Sequence, residues 1–332
     1  SLTQDLDLTM GVRYTEDKKD YTLFVPGSTL GFLDSQALVG FHVPSIGAFA
    51  TTLEPALAQS ENWSNTSFRS VLDYSLGEDA MVYLSYATGY KAGGFNSTAV
   101  SEPYSPEEVT NLELGLKSTW LDGRLRLNGS IFSYEYEGLQ SVGLVGTTLM
   151  VRSVDSEATG AELEATWMAT DALILSATYS YIDSEITDYP LLGSETASDS
   201  RLGLPQSSVA KNSYTLGAAY NLPLKDLGEL DFRVDYSYTG SRANEPTSAG
   251  VDPSTLALIA QTESQITDGY KDVSARITYR TPDGHWRAAL YGQNLTGEEY
   301  LYKLGGFSDV TGSPSAARAA PRLYGIEAAY VF

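Results

Sequence analysis

Few residues in this 332-residue sequence could perform covalent or metal chemistry. There is no cysteine, which removes disulfides, thiolate metal sites and a cysteine nucleophile together. Only two histidines are present, His42 beside Val43-Pro44 and His285 after Pro282-Asp283-Gly284, and the ordinary reading of each is an exposed polar residue. Carboxylates are plentiful but scattered, so no pair stands out as a general acid and base. The glycine-rich run Lys91-Ala92-Gly93-Gly94-Phe95-Asn96 lacks both the GxxxxGK[ST] spacing and the following helical pattern of a phosphate loop. No catalytic residue, metal or cofactor is therefore expected.

The elements that carry these residues have a marked composition. Tyrosine outnumbers the other aromatics, 23 against 10 Phe and 4 Trp, and its ring can lie in lipid while its hydroxyl reaches the headgroups. A net charge of -21, with no basic run, argues against a nucleic-acid partner and for solvated acidic loops. No stretch approaches the roughly 18 apolar residues that cross a bilayer as a helix, so a membrane protein of this sequence would span as a closed barrel. The first residues, Ser1 to Met10, show no basic or apolar leader and begin at once with alternation, as expected for a cut inside a longer protein.

Period-two alternation recurs in segments of roughly ten residues, the length of a tilted membrane-crossing strand. Leu6, Leu8, Met10, Val12 and Tyr14 oppose Asp5, Asp7, Thr9, Gly11 and Arg13. Tyr214, Leu216 and Tyr220, then Phe232, Val234 and Tyr236 on the next segment, are expected to share a lipid-facing surface, with Arg233 and Asp235 inward. Arg13, Arg276, Asp7 and Asp272 are expected on the same polar inner wall. Weaker alternation marks residues 112–116, 161–167, 173–181, 273–279 and 286–290, while 64–76 and 80–90 are less clean. Along Leu125 to Tyr136 the phase changes near Ile131 and Phe132, which predicts a β-bulge or a strand leaving the membrane.

Two classes of link alternate along the chain. Short turns are expected at 77–79, 121–123, 170–171, 223–228 and 282–284, and long ones at about 19–63, 92–106, 142–146, 187–208, 244–267 and 295–317. Short periplasmic turns and long extracellular loops are the topology of outer-membrane barrels, here with twelve strands and both ends periplasmic. His42 and His285 then lie at opposite ends and cannot share a site. A soluble β-sandwich also alternates, but it explains neither the short/long pattern nor the tyrosine-capped strands of this length.

The last twelve residues place Tyr324, Ile326, Ala328, Tyr330 and Phe332 on one face and end in an aromatic, which resembles the signature read by the outer-membrane barrel assembly machinery. Several segments resemble the barrel of TonB-dependent receptors: LTMGVRYT at residues 8–15, VYLSYATGYKAGGFN at 82–96, EVTNLELGLK at 108–117, ATGAELE at 158–164 and QNLTGEEY at 293–300. They occur in family order over essentially the whole chain. The resemblance implies an all-β, antiparallel transmembrane barrel of about 22 strands, of which residues 1–332 supply the last twelve. It also implies that the plug and the TonB box precede Ser1.

By the same resemblance, the intact protein is an outer-membrane transporter of a Gram-negative bacterium. It would take up a scarce nutrient, commonly a ferric siderophore or similar small chelate, and contact lipid, lipopolysaccharide and, through the missing part, the TonB complex. Lys91, Gly93, Gly94, Phe95 and Asn96, at the outer rim, are the candidates for ligand contact, their glycines expected to adopt positive φ as the chain bends away from its strand. Glu245, Asp252 and Glu263 in one outer loop disfavour a strongly anionic ligand. A passive porin-like channel is the alternative, and an outer-membrane enzyme a more distant one.

Overall fold

In a computed structural model, residues 2–23, 57–96, 103–145, 148–192, 200–243, 250–251, 258–259, 266–304 and 316–332 are described. Twelve strands form one antiparallel sheet in chain order: β1 (Leu6–Leu23), β2 (Leu57–Ser75), β3 (Ala80–Lys91), β4 (Glu107–Trp120), β5 (Leu125–Val145), β6 (Thr148–Met168), β7 (Leu173–Asp188), β8 (Asn212–Pro223), β9 (Glu229–Thr239), β10 (Tyr270–Arg280), β11 (Trp286–Gln293) and β12 (Leu323–Tyr330). Two-stranded ribbons at Arg242–Ala243 with Ile266–Thr267 and at Leu301–Leu304 with Ala316–Arg318 stand at loop bases.

Register carries each strand's alternation into its neighbour. Val12 lies opposite Phe68, Leu72 opposite Leu84, Leu84 opposite Leu114 and Leu114 opposite Ile131. Further along, Leu216 faces Tyr236, Phe232 faces Ile277, Ile277 faces Leu290 and Leu290 faces Ile326. Through Ala161, Tyr179 and Tyr214 the apolar face continues across the twelve strands, and its side chains are bare: Met10 is 73% and Ile326 83% exposed. Such a surface is stable only against lipid, and the small number of buried apolar residues elsewhere follows from that.

The expected short turns lie where the sequence placed them. Leu121, Asp122 and Gly123 all adopt positive φ, and Lys225–Leu227 forms a short 3-10 turn between β8 and β9. At the other end the strands run further than expected. β1 and β2 pair from Leu6↔Tyr74 out to Leu23↔Leu57, and residues 142–145 of the anticipated long link at 142–146 instead continue the β5–β6 pairing out to Val145↔Thr148.

The phase change near Ile131 and Phe132 is not a bulge, since β4–β5 pairing is regular from Glu108↔Glu137 to Trp120↔Leu125. Phe132, Tyr134 and Tyr136 are aromatic residues on the inner face, in a row up the strand with ring centroids 4.9 and 6.4 Å apart and the rings tilted to one another. The irregularity falls between Tyr136 and Leu139, where Gly138 takes φ 66°. Inner-face rings are seated on glycines of the neighbouring strand: Tyr83 over Gly115, Phe132 over Gly160 and Tyr291 over Gly325. A Cβ at any of the three would collide with the ring.

Candidate functional site at the outer rim and inner wall

The segment after β3 turns inward. Tyr21 and Trp63 lie at register positions shared with Arg13, on the polar face, and Phe95 packs on both: its centroid is 5.3 Å from Tyr21, nearly parallel, and 6.2 Å from Trp63. Lys19 Nζ donates to Gly93 O at 2.5 Å and stands 5.5 Å from the Trp63 ring. Gly94 exchanges two backbone hydrogen bonds with Tyr104, at 3.2 and 2.9 Å, which closes the described part of the β3–β4 loop on itself.

Neither Gly93 nor Gly94 has positive φ, contrary to expectation. They are required for space instead. A Cβ on Gly93 would meet the Tyr104 carbonyl and the Trp63 ring, and one on Gly94 the Tyr104 ring.

Buried Asn96 reaches the extended β5–β6 hairpin, where its Oδ1 accepts from Val151 N at 2.7 Å and its Nδ2 donates to Val151 O at 3.3 Å. Gln140 Nε2 donates to Ala92 O at 3.0 Å from the same hairpin. Lys91 stays apart from these contacts, its ammonium 3.5 Å from Glu107 and largely exposed. Four of the five predicted rim residues, Gly93, Gly94, Phe95 and Asn96, are thus brought together as a clasp between β1–β2 and β5–β6, a role legible only once their partners Tyr21, Trp63, Tyr104 and Val151 are known.

Below the rim the inner wall is ionic. Arg233 binds Asp235 through two nitrogens, at 2.7 and 2.9 Å. Glu327 is shared by Arg276 at 2.7 Å and Arg287 at 2.5 Å, while Arg280 reaches Glu229 at 2.7 Å and Asp231 at 2.5 Å. Sequence reasoning placed Arg233, Asp235 and Arg276 here but missed Glu327, Arg280 and Arg287. Their alternation with Ala288, Ala328 and Tyr279 on the opposite face was the available signal.

His285 is a structural residue: its Nδ1 lies 2.8 Å from Val331 O, its backbone N–H donates to Asp283 at 3.0 Å, and its ring stacks on Tyr330. The Asp283 carboxyl is held below its ordinary pKa, first by the Thr281 hydroxyl and then by that N–H. His42, Glu245, Asp252 and Glu263 lie outside the described residues. Among the described residues no group of three or more His, Asp or Glu side chains is arranged to hold a metal. Asn294, at φ 47°, fixes the start of the last loop by accepting from Glu298 N at 2.9 Å and donating to Glu298 O at 2.8 Å.

The terminal residues Tyr324, Ile326, Ala328 and Tyr330 face Gly292, Leu290, Ala288 and Trp286 on the apolar surface. Phe332 is fully exposed and meets Tyr330 edge-on at 5.0 Å.

A sheet that is apolar on one face, ion-paired on the other, turned tightly at one end and extended at the other is the wall of a transmembrane β-barrel. The chain belongs to the TonB-dependent receptor family: the family model described as "TonB dependent receptor-like, beta-barrel" matches residues 1–295. This family consists of outer-membrane receptors and transporters.

Among curated relatives, the probable TonB-dependent siderophore receptor PiuA of Acinetobacter baumannii is 30% identical over 42% of this chain and 20% of its own length. The ferric-pyoverdine M114 receptor PbuA of a Pseudomonas strain is 27% identical over 77% of the chain and 29% of its own. Of solved structures, the ferric yersiniabactin uptake receptor FyuA of Yersinia pestis superposes with TM-score 0.72 at 19% identity, covering 100% of this chain and 44% of that one. The PiuA structure superposes with TM-score 0.70 at 20% identity, covering 98% and 41%. The chain thus spans well under half the length of these proteins.

Proposed function

We propose that this chain is the C-terminal part of the barrel of an outer-membrane receptor that takes up a ferric siderophore or similar chelate by TonB-dependent transport. The observation that carries the reading is the two-faced twelve-strand sheet with an ionic inner wall, in a chain of this family whose relatives include siderophore and ferric-pyoverdine receptors. A plug and a TonB box, supplied by the remainder of the protein, would complete the transport machinery.

The aromatic cluster of Tyr21, Trp63 and Phe95, with Lys19 beside it, offers a ligand its first contact with the wall. There the clasp would hold β1–β2 and β5–β6 at a fixed distance, so that the ligand meets a preformed rim. Tyr324, Ile326, Ala328, Tyr330 and Phe332 would serve the assembly machinery.

The test is accumulation of radiolabelled ferric chelates by a strain lacking the gene and complemented with the intact gene, with and without functional TonB. The expected result is accumulation that requires both the gene and TonB. Equal accumulation without TonB would favour a passive channel. The twelve strands expressed alone should give no TonB-dependent uptake, since β1 pairs only with β2 and β12 only with β11 among the described residues, and an unpaired edge is unstable in lipid.

A further inference from the structure

The inner wall treats its arginines in two ways. On β9 to β12, Arg233, Arg276, Arg280 and Arg287 are each held by a carboxylate of the same wall. On β1 and β2, Arg13 and Arg69 are exposed at inner-face positions, and among the described residues neither guanidinium is ion-paired or hydrogen-bonded.

The register explains why they stand bare. Arg13 is opposite Ser67, whose hydroxyl is given to Asn65 at 2.8 Å. Arg69 stands between Gly11 on one side and Ala87 on the other, neither of which has a side chain able to pair with it. Nothing packs into the space left by Gly11, since a Cβ there would have only Arg69 Cβ, at 4.0 Å, within reach. The two arginines are diagonal neighbours on one face, about 7–8 Å apart at the backbone, close enough to hold one anion between them.

A cavity of about 660 Å³ follows this stretch of wall. Its inner-face lining includes Arg13, Thr15, Asp17, Ser67 and Arg69, and it ends at the seam where β3 leaves β2, with Phe68 N donating to Thr88 Oγ1 at 2.9 Å. Two guanidiniums against the single carboxylate of Asp17 leave it net positive. Trp63, opposite Asp17, is four residues further along β2 than Ser67, so the aromatic cluster with Tyr21 and Phe95 stands about 13 Å above the arginines.

We propose that Arg13 and Arg69 determine specificity for the transported chelate, and that this chelate is an anionic iron(III) complex with aromatic chelating rings, of the tris-catecholate class. Its rings lie against Trp63, Tyr21 and Phe95, and its negatively charged oxygens meet the two guanidiniums, whose forked donors suit such oxygens better than an ammonium would. A neutral trihydroxamate complex has no charge for them to recognise. The wall thus supplies the sign that the acidic residues of the outer loop oppose. The inference rests on the transport reading and narrows its substrate.

The experiment measures tryptophan fluorescence quenching of the purified intact receptor, in a neutral detergent, by a ferric tris-catecholate and by a neutral ferric trihydroxamate. Wild type should prefer the tris-catecholate. Arg13→Gln and Arg69→Gln should each weaken its binding roughly tenfold and leave the trihydroxamate unchanged, with Arg69→Lys recovering part of the loss. Arg126→Gln, on the same wall beside the periplasmic turn, should change neither. Heat-modifiable gel mobility checks that each variant is folded. Failure of wild type to bind the tris-catecholate, a preference for the neutral complex, unchanged affinity in the folded double variant, or equal losses for both complexes would each overturn the assignment, the last by showing that the arginines serve the fold or the plug. TonB-dependent uptake that is blind to chelate charge would sink this inference and leave the transport reading standing, whereas uptake independent of TonB would sink that reading.

Discussion

Val234→Arg places a charge at the centre of β9, five residues from either end of Glu229–Thr239, on the apolar surface. Its cross-strand neighbours are Ala218 and Ala275, neither of which offers a hydrogen bond or a counter-ion, and the native side chain is 48% exposed to what the fold requires to be lipid. An arginine on the lipid face at the bilayer midplane costs about 2–4 kcal/mol. That corresponds to a roughly 30- to 700-fold shift in the folding equilibrium. The inner-face counterpart Ser274→Arg would place the same side chain opposite Asp235, in a wall already built of ion pairs, and should cost far less. The assay is denaturant titration of the full-length protein folded into vesicles, following the heat-modifiable band on gels. If Val234→Arg were neutral and Ser274→Arg the damaging change, the assignment of faces would be wrong.

Gly160→Val should destabilise the barrel by about 1–3 kcal/mol, because its Cβ meets the Phe132 ring and the Tyr181 carbonyl, and vesicle unfolding curves equal to wild type would contradict the seating. Deleting Phe332 should reduce receptor assembled in the outer membrane without reducing its synthesis, as measured by surface biotinylation against total protein. Asp283 titrates below its ordinary pKa, so its contribution to the β10–β11 turn is complete above about pH 4, its unfolded value, and is lost as pH falls through the folded one. Thr281→Val should move that titration upward toward the ordinary value, a shift carboxyl NMR would detect.

Much of this architecture is legible in the sequence, because a barrel wall is specified by alternation along single strands. Leu6 to Tyr14, Tyr214 to Leu222 and Leu230 to Tyr238 each alternate cleanly, and register then has only to align them. Alternation blurs where an inner-face residue is aromatic, as at Phe132, or a lipid-facing one is polar, as at Ser70 opposite Met10 and Tyr86. The lengths of the outer hairpins were hidden for a related reason: beyond the membrane both faces meet water, so Glu16 to Tyr21 and Asn62 to Thr66 carry no apolar pattern. The clasp was half visible. Lys91 to Asn96 could be singled out, but their positions depend on partners distant in sequence, and the glycines serve close approach where positive φ was expected.

The central claim is that β9 and its neighbours form a membrane-crossing wall with one face in lipid. It is tested most directly by spin labels on single cysteines introduced in turn from Leu230 to Tyr238 in the bilayer-embedded protein, these 332 residues containing no native cysteine of their own. Collision with dissolved oxygen, which concentrates in lipid, should peak at Leu230, Phe232, Val234 and Tyr236 and fall at Asp231, Arg233, Asp235 and Ser237. A flat profile, or one with its maxima at Arg233 and Asp235, would contradict the account.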